Sequence, residues 1–107
     1  MSFQDMKTII DSGSLAEFKA RTARMTKEEV IHPRAIERWH SIVTYLAASD
    51  KRTEMLTALL ESHQPDLNKR DGYYETPLTT AARYGNLRGL QVLSNQSNIN
   101  TMNATNG

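Results

Sequence analysis

Apolar and polar residues follow one another in blocks that predict short amphipathic helices arranged in pairs. The clearest block covers residues 76–93. Thr76 can cap a helix, and Pro77 occupies its first turn, where the missing backbone N–H costs nothing. Gly85 supplies the left-handed residue that ends a helix, and Asn86 can cap a second one, whose predicted apolar side contains Leu87, Leu90, Val92 and Leu93. The block therefore predicts two short helices joined by a tight turn.

The same pattern occurs twice more in the preceding part of the chain. Ala47 and Ala48 precede Ala81 and Ala82 by 34 residues, and the apolar positions that follow match at the same spacing, namely Leu56, Ala58 and Leu59. A fainter copy opens the chain, with Gly13 in the place of Gly85 and a capping box over residues 14–17. The pattern therefore predicts three helix pairs.

Polar segments rich in turn-forming residues separate these pairs. Residues 65–75 and 97–103 contain the Asp and Asn residues that favour turns. Each segment also contains one aliphatic residue, Leu67 or Ile99, that we expect to be buried. Extended loops that project from the helices are therefore predicted between the pairs.

Residues 25–40 fit none of the three copies. A second capping box begins at Thr26 and predicts a short extra helix, which Pro33 ends. Apolar residues at helical spacing then predict that the first helix of the second pair starts soon after Pro33, so that it is elongated; these residues are Ile36, Trp39, Val43 and Leu46.

Together these residues resemble the ankyrin repeat, a unit of about 33 residues whose signature contains Thr-Pro-Leu-His-x-Ala. The matching positions are Thr76–Leu78, Ala81–Ala82, Gly85 and Asp66–Asn68. Two positions differ, because Thr79 stands where the family has histidine and Tyr74 stands where it has the hairpin glycine. The resemblance implies an all-α fold, a solenoid of stacked helix pairs with projecting loops and with an extra helix inserted after the first repeat.

We expect residues 1–107 to form one domain with about three repeats. Its predicted parts are a degenerate capping repeat, an inserted helix, a second repeat, a third repeat and the start of a further loop, at residues 3–24, 25–40, 41–65, 66–97 and 98–107. A further helix pair that would cover the apolar end of the array is absent from the sequence, which exposes Leu78, Leu90, Leu93 and Ile99. We therefore expect either the N-terminal piece of a longer array, or a chain that is monomeric or dimerises through this face.

Composition narrows the possible functions. Thirteen basic residues nearly balance twelve acidic ones, so net charge gives no general reason to bind a polyanion. The sequence has no cysteine, which excludes disulfides, thiolate metal sites and cysteine nucleophiles. Because it contains neither a long apolar run nor a signal-like N-terminus, we expect no membrane interaction and a cytoplasmic location, or the host cytosol if the chain belongs to a secreted effector.

Catalytic and metal-binding patterns are weak. Two Glu-x-x-His pairs occur, Glu29 with His32 and Glu37 with His40, but Pro33 separates them and the helices are too short for a four-helix metal site. His63 is predicted to lie alone in a loop. The sequence contains neither a Gly-x-Ser-x-Gly motif nor a glycine-rich phosphate loop. We therefore expect no metal, no cofactor and no enzymatic activity.

The resemblance implies a non-catalytic module that binds a partner protein through its loops and the ends of its first helices, which line a concave groove. The positions carried over are Tyr73, Tyr74, Glu75, Arg83 and Tyr84 in the third repeat, with Ser49 and Asp50 in the second and Asp11 and Ser12 in the first. Tyrosine and arginine are also the residue types that concentrate binding energy at interfaces.

Three alternatives to this interpretation stay open. The tyrosines could pack on their own repeat instead of binding a partner. The pairs Lys51–Arg52 and Lys69–Arg70 could serve a nucleic-acid-associated adaptor, although the interleaved acidic residues argue against nucleic acid. The chain could also be the N-terminal targeting region of a larger multidomain protein, such as a secreted bacterial effector.

Overall fold

The computed structural model describes residues 3–32 and 40–96, and these form helices with no strand among them. The predicted positions Ile36, Trp39 and Ile99, and the predicted loop at residues 98–107, lie outside the described residues. The helices are α1 (Phe3–Ser12), α2 (Leu15–Thr22), α3 (Lys27–Val30), α4 (Ile42–Ala47), α5 (Thr53–His63), α6 (Pro77–Arg83) and α7 (Leu87–Ser94), with a short 3-10 turn at Asp50–Arg52 before α5.

Side-chain caps define where most of these helices begin. The predicted capping box at Thr26 is present, because its hydroxyl accepts from the Glu29 N–H while the Glu29 carboxylate accepts from the Thr26 N–H at 2.8 Å. Thr76 caps α6 as predicted, and Pro77 takes the first helical position. Each cap satisfies backbone N–H groups that the helix itself leaves unpaired. The local sequence therefore sets the starts of these helices.

The prediction of an elongated first helix in the second repeat is wrong. Helix α4 begins only at Ile42, because Ser41 is extended, with φ −80° and ψ 168°, and caps the helix by accepting from the Thr44 N–H. Thr44 in turn accepts from the Ser41 N–H at 3.0 Å, which completes a capping box without a Glu or Gln side chain. This box of two hydroxyl residues fixes the start of α4, and apolar spacing alone did not reveal it.

The helices pack as three antiparallel pairs in a stack. Helix α1 packs on α2, α4 on α5, and α6 on α7. Neighbouring pairs are joined through contacts of α4 with α6 and of α5 with both α2 and α7. Gly13 and Gly85 make two of the tight turns within pairs and adopt φ of 81° and 69°, the left-handed conformation that glycine adopts without steric cost. The predicted arrangement of stacked helix pairs is therefore confirmed.

One apolar core runs through the stack. Its fully buried members come from all three pairs and from the loop before α6, and include Phe18, Leu46, Leu56, Leu59, Leu67 and Leu93. Leu67 is buried in its loop, as the sequence predicted. Because each pair is only two short helices thick, these side chains are removed from water only by the neighbouring pair.

The alanines that allow close packing differ from those expected. Ala47 and Ala81 are fully buried, whereas Ala48 is half-buried and Ala82 is exposed. Leu78 and Leu93 are buried as well, so the prediction that they lie uncovered at the end of the stack is wrong. Leu87 is the exposed apolar side chain of α7 instead, with 76% of its surface accessible.

Two side chains connect parts of the stack that are far apart in sequence. Asn86 caps α7 through the Gly89 N–H and also donates from its side-chain amide to the carbonyl of Ala47, at the end of α4. His63 ends α5, where its Nε2 lies 2.8 Å from the Thr22 carbonyl and 3.0 Å from that of Met25. His63 therefore joins α5 to the end of α2, and the prediction of an isolated loop histidine is wrong.

Within the described residues, no helix combines the length and the apolar character that crossing a bilayer requires.

Leucines at opposite faces of α7 provide a test of the stack. We expect Leu93→Ala to lower the free energy of unfolding by about 2–5 kcal/mol, because it leaves a cavity at a fully buried position. Leu87→Ala removes the same atoms from an exposed position and should change it by less than about 0.5 kcal/mol. Urea titration followed by circular dichroism measures both values, and equal losses would contradict the observed packing of α7.

Candidate functional site

The loop before α6 forms a tight hairpin turn around Asp71. The Tyr74 N–H donates to the Asp71 carbonyl, and the Asp71 N–H donates to the Glu75 carbonyl, both at 2.9 Å. Tyr74 adopts φ 65°, in the left-handed region where the family has glycine. A residue with a Cβ is disfavoured there by about 1–2 kcal/mol, so the surrounding contacts hold Tyr74 in a strained conformation.

The carboxylate of Asp71 anchors this hairpin to α4. It accepts from the backbone N–H groups of Tyr73 and Glu75 and from the Thr44 hydroxyl at 2.8 Å, and His40 Nδ1 lies 3.3 Å away. The side chain is 1% exposed. Burial alone would raise the pKa of Asp71, but the hydrogen bonds from His40, the Glu75 N–H, Thr44 and the Tyr73 N–H outweigh it, so the pKa lies below its ordinary value.

The contacts of His40 and Thr44 favour a structural role over a catalytic one. Thr44 donates its hydroxyl proton to Asp71, and the same Nδ1 atom of His40 faces both Thr44, at 3.4 Å, and Asp71. A nucleophilic hydroxyl would instead donate to the imidazole that acts as its base. Where the structure describes the chain, no group of three His, Asp or Glu side chains is placed to hold a metal ion.

Three tyrosines are exposed at and near the hairpin. Tyr73, Tyr74 and Tyr84 have 52%, 76% and 59% of their surfaces accessible. The Arg70 guanidinium lies over the Tyr74 ring at 4.7 Å and donates from Nη1 to the Tyr74 carbonyl at 2.9 Å. Arg70 therefore restrains both the ring and the backbone of the strained residue.

Two predicted residues of α6 complete this surface. Arg83, in the last turn of α6, donates to the Glu75 carboxylate at 2.8 Å, and Tyr84 follows it as the C-terminal cap. The Arg83 side chain remains 66% exposed, whereas that of Glu75 is only 22% exposed. The structure thus brings together five of the predicted residues, which we call the tyrosine surface: Tyr73, Tyr74, Glu75, Arg83 and Tyr84.

Aromatic contacts extend from the tyrosine surface to the second repeat. The rings of Tyr73 and His40 are 4.9 Å apart, and those of His40 and Tyr45 are 6.0 Å apart. The Tyr45 hydroxyl donates to Asp11 at 2.8 Å, so this predicted residue of the first repeat is joined to the same row. The row crosses all three helix pairs.

Tyr45 and Asp11 alter each other's ionisation. Burial and the hydrogen bond to Asp11 raise the pKa of Tyr45. Although burial acts to raise the pKa of Asp11, hydrogen bonds from Tyr45 and Lys7 and the charges of Lys7 and Arg52 lower it overall. The pair therefore stays as a phenol that donates to a carboxylate at neutral pH.

The other predicted residues lie apart from the tyrosine surface. Asp50 is exposed and pairs with Arg88 of α7 at 3.5 Å. Ser49 is half-buried and its carbonyl accepts from the Arg52 N–H, while Ser12 donates its hydroxyl to the Ile9 carbonyl. None of these contacts joins Ser49, Asp50 or Ser12 to the tyrosines of the hairpin.

Sequence reasoning missed four residues that support the surface. His40 and Asp71 are 31 positions apart in the chain, so no local pattern shows that they meet. The Asp-Gly pair at Asp71 was a turn signal, but burial of its carboxylate was not expected. Tyr45 was part of an apolar helix pattern, and Arg70 was considered only as half of a basic pair.

The lowered pKa of Asp71 predicts a pH effect on stability. Because the folded-state pKa lies below that of the unfolded chain, the stabilisation is complete at neutral pH and is lost as pH falls below about 4. Asp71→Asn should reduce stability at neutral pH by roughly 1–3 kcal/mol and flatten the acid limb of the profile. Thermal melts across this pH range, with exposed Asp66→Asn as the matched control, measure the difference; identical acid limbs for Asp71→Asn and the natural chain would contradict the role given to Asp71.

Comparison with known proteins agrees with this architecture. A family model described as ankyrin repeats (many copies) matches residues 44–93, from within α4 to the end of α7. No curated protein and no solved structure matches the chain. Helices α1 and α2 lie before the matched residues and continue the stack through the contact of α2 with α5. The repeat signature, the stacked helix pairs and the family match together show that this chain belongs to the ankyrin repeat family.

Proposed function

We propose that this chain is a non-catalytic module that binds a partner protein through the tyrosine surface. Ankyrin repeats generally mediate interactions between proteins and are typically non-catalytic, which supports the general class. The specific surface rests on one observation: three tyrosines, each more than half exposed, lie together at the hairpin and the end of α6.

Exposure of these side chains argues against packing on their own repeat as their main role. Tyr74 is the most exposed of the three, although its φ of 65° carries a conformational cost that glycine would avoid. Tyrosine offers a large contact area with few rotatable bonds, so it loses little entropy when a partner covers it. Strain at an exposed aromatic residue is therefore consistent with a binding role.

The support beneath the surface favours specific binding. Asp71 fixes the hairpin to α4 through Thr44, and Arg83 fixes Glu75 to α6. A surface that is already ordered loses less freedom on binding, which leaves more of the contact energy as affinity. The hairpin is thus prepared to bind without first rearranging.

Replacement of the three tyrosines tests this function. We expect Tyr73→Ala/Tyr74→Ala/Tyr84→Ala to lose capture of the partner from a lysate of the cell type that expresses the chain, by at least about tenfold, because interface tyrosines often contribute 2 kcal/mol or more in such scans. The melting temperature should change little, since all three side chains are exposed. Quantitative mass spectrometry of captured proteins measures the loss.

Leu87→Ala is the matched control, because it truncates another exposed large side chain outside the tyrosine surface. It should capture the same proteins as the natural chain. If the triple variant also captures them equally, the tyrosine surface is not the binding site. If capture disappears on nuclease treatment, the bound species is nucleic acid and the proposed class of partner is wrong.

A further inference from the structure

The structure contains the same arginine–tyrosine arrangement in two places. Arg52 lies over the ring of Tyr45 at 4.0 Å and donates from Nη1 to the Tyr45 carbonyl at 2.8 Å. Arg70 lies over the ring of Tyr74 at 4.7 Å and donates from Nη1 to the Tyr74 carbonyl at 2.9 Å. Each arginine therefore covers the ring of a tyrosine and binds the backbone of that same residue.

The two units differ in what completes them. At the first unit, the carboxylate of Asp11 accepts from the Tyr45 hydroxyl at 2.8 Å and lies 3.6 Å from Nη2 of Arg52. At the second unit, Arg70 forms no ion pair with any described residue, and 76% of the Tyr74 surface is exposed. The first unit is thus completed within the chain, whereas the second is open to solvent.

From this parallel we infer that the Arg70–Tyr74 unit binds an aspartate or glutamate side chain of the partner protein, in the way that Arg52 and Tyr45 bind Asp11. The inference rests on the proposed function and specifies the partner as a protein segment with an acidic residue. Guanidinium and phenol groups both donate to a carboxylate, and a cation beside the phenol strengthens the binding of an anion.

Charges around the unit favour the same class of partner. Arg83 keeps two thirds of its side chain exposed while one of its N–H groups binds Glu75, so further donors of its guanidinium can reach a partner. The Asp71 carboxylate is buried and already accepts four polar groups, so it does not oppose an incoming anion directly. The tyrosine surface therefore presents exposed cations beside its rings and only one partly exposed carboxylate, Glu75.

A random peptide library displayed on phage provides the probe for this inference. Peptides are selected on the full chain and kept when their binding is lost in Tyr73→Ala/Tyr74→Ala/Tyr84→Ala. We expect the kept peptides to share an aspartate or glutamate at one position. Each kept peptide is then synthesised in two forms, with that acidic residue or with its amide counterpart Asn or Gln.

Paired substitutions on the chain locate the acid. Tyr74→Phe removes the donor hydroxyl but keeps the ring under Arg70, and should weaken the acidic form by roughly tenfold while leaving the amide form nearly unchanged. Arg70→Gln should show the same pattern. Tyr84→Phe and the charge-matched Arg24→Gln are the controls and should leave the preference for the acidic form intact, since neither residue belongs to the unit. Fluorescence anisotropy measures all of these affinities.

The possible results separate this inference from the proposed function. Coupling between the acidic residue and both Tyr74 and Arg70 supports the inference. Peptides that need the tyrosines but show no acidic preference, or no coupling to Tyr74 and Arg70, overturn it and leave the proposed function standing. If oligothymidylate competes for the unit more strongly than the acidic peptide, phosphate is the preferred anion and the inference is also wrong. If no peptide depends on the tyrosines, the inference fails, and the capture experiment decides the proposed function.

Discussion

Burial of one apolar core between thin helix pairs is the interaction on which the whole structure depends. Each pair has too little thickness to remove its leucines from water, so Leu56 and Leu93 are covered only when neighbouring pairs pack together. Small side chains at Ala47 and Ala81 allow the first helices to approach closely. Asn86 adds a hydrogen bond from the third pair to the end of α4, so the packing is fixed in register as well as in separation.

The polar network of Asp71 carries this order from the core to the surface. Its carboxylate accepts both from the hairpin backbone and from Thr44 on α4, so the hairpin cannot move independently of the second repeat without leaving buried polar groups unsatisfied. The exposed tyrosines are therefore held on a base whose position depends on the helix stack. A binding surface of this kind derives its rigidity from the core rather than from its own contacts.

Local conformation at Tyr74 links stability to recognition. The left-handed backbone disfavours a tyrosine, and the contacts of Arg70 with its ring and carbonyl offset part of that cost. The same contacts place a cation next to an exposed phenol. Stability and binding therefore depend here on one pair of side chains, and the comparable pair at Arg52 and Tyr45 shows how the chain's own Asp11 completes such an arrangement.

By itself the sequence determined the features that arise between neighbouring residues: the caps at Thr26 and Thr76, the left-handed turns at Gly13 and Gly85, and hence the helix pairs and their family. It also brought together most of the tyrosine surface, because those residues lie close together in the chain. Tertiary structure alone decided that His63 joins α2, that Leu87 rather than Leu93 is exposed, and that His40 meets Asp71. These contacts join residues far apart in sequence or depend on which face of a helix is covered, and that is fixed only when the three pairs pack together.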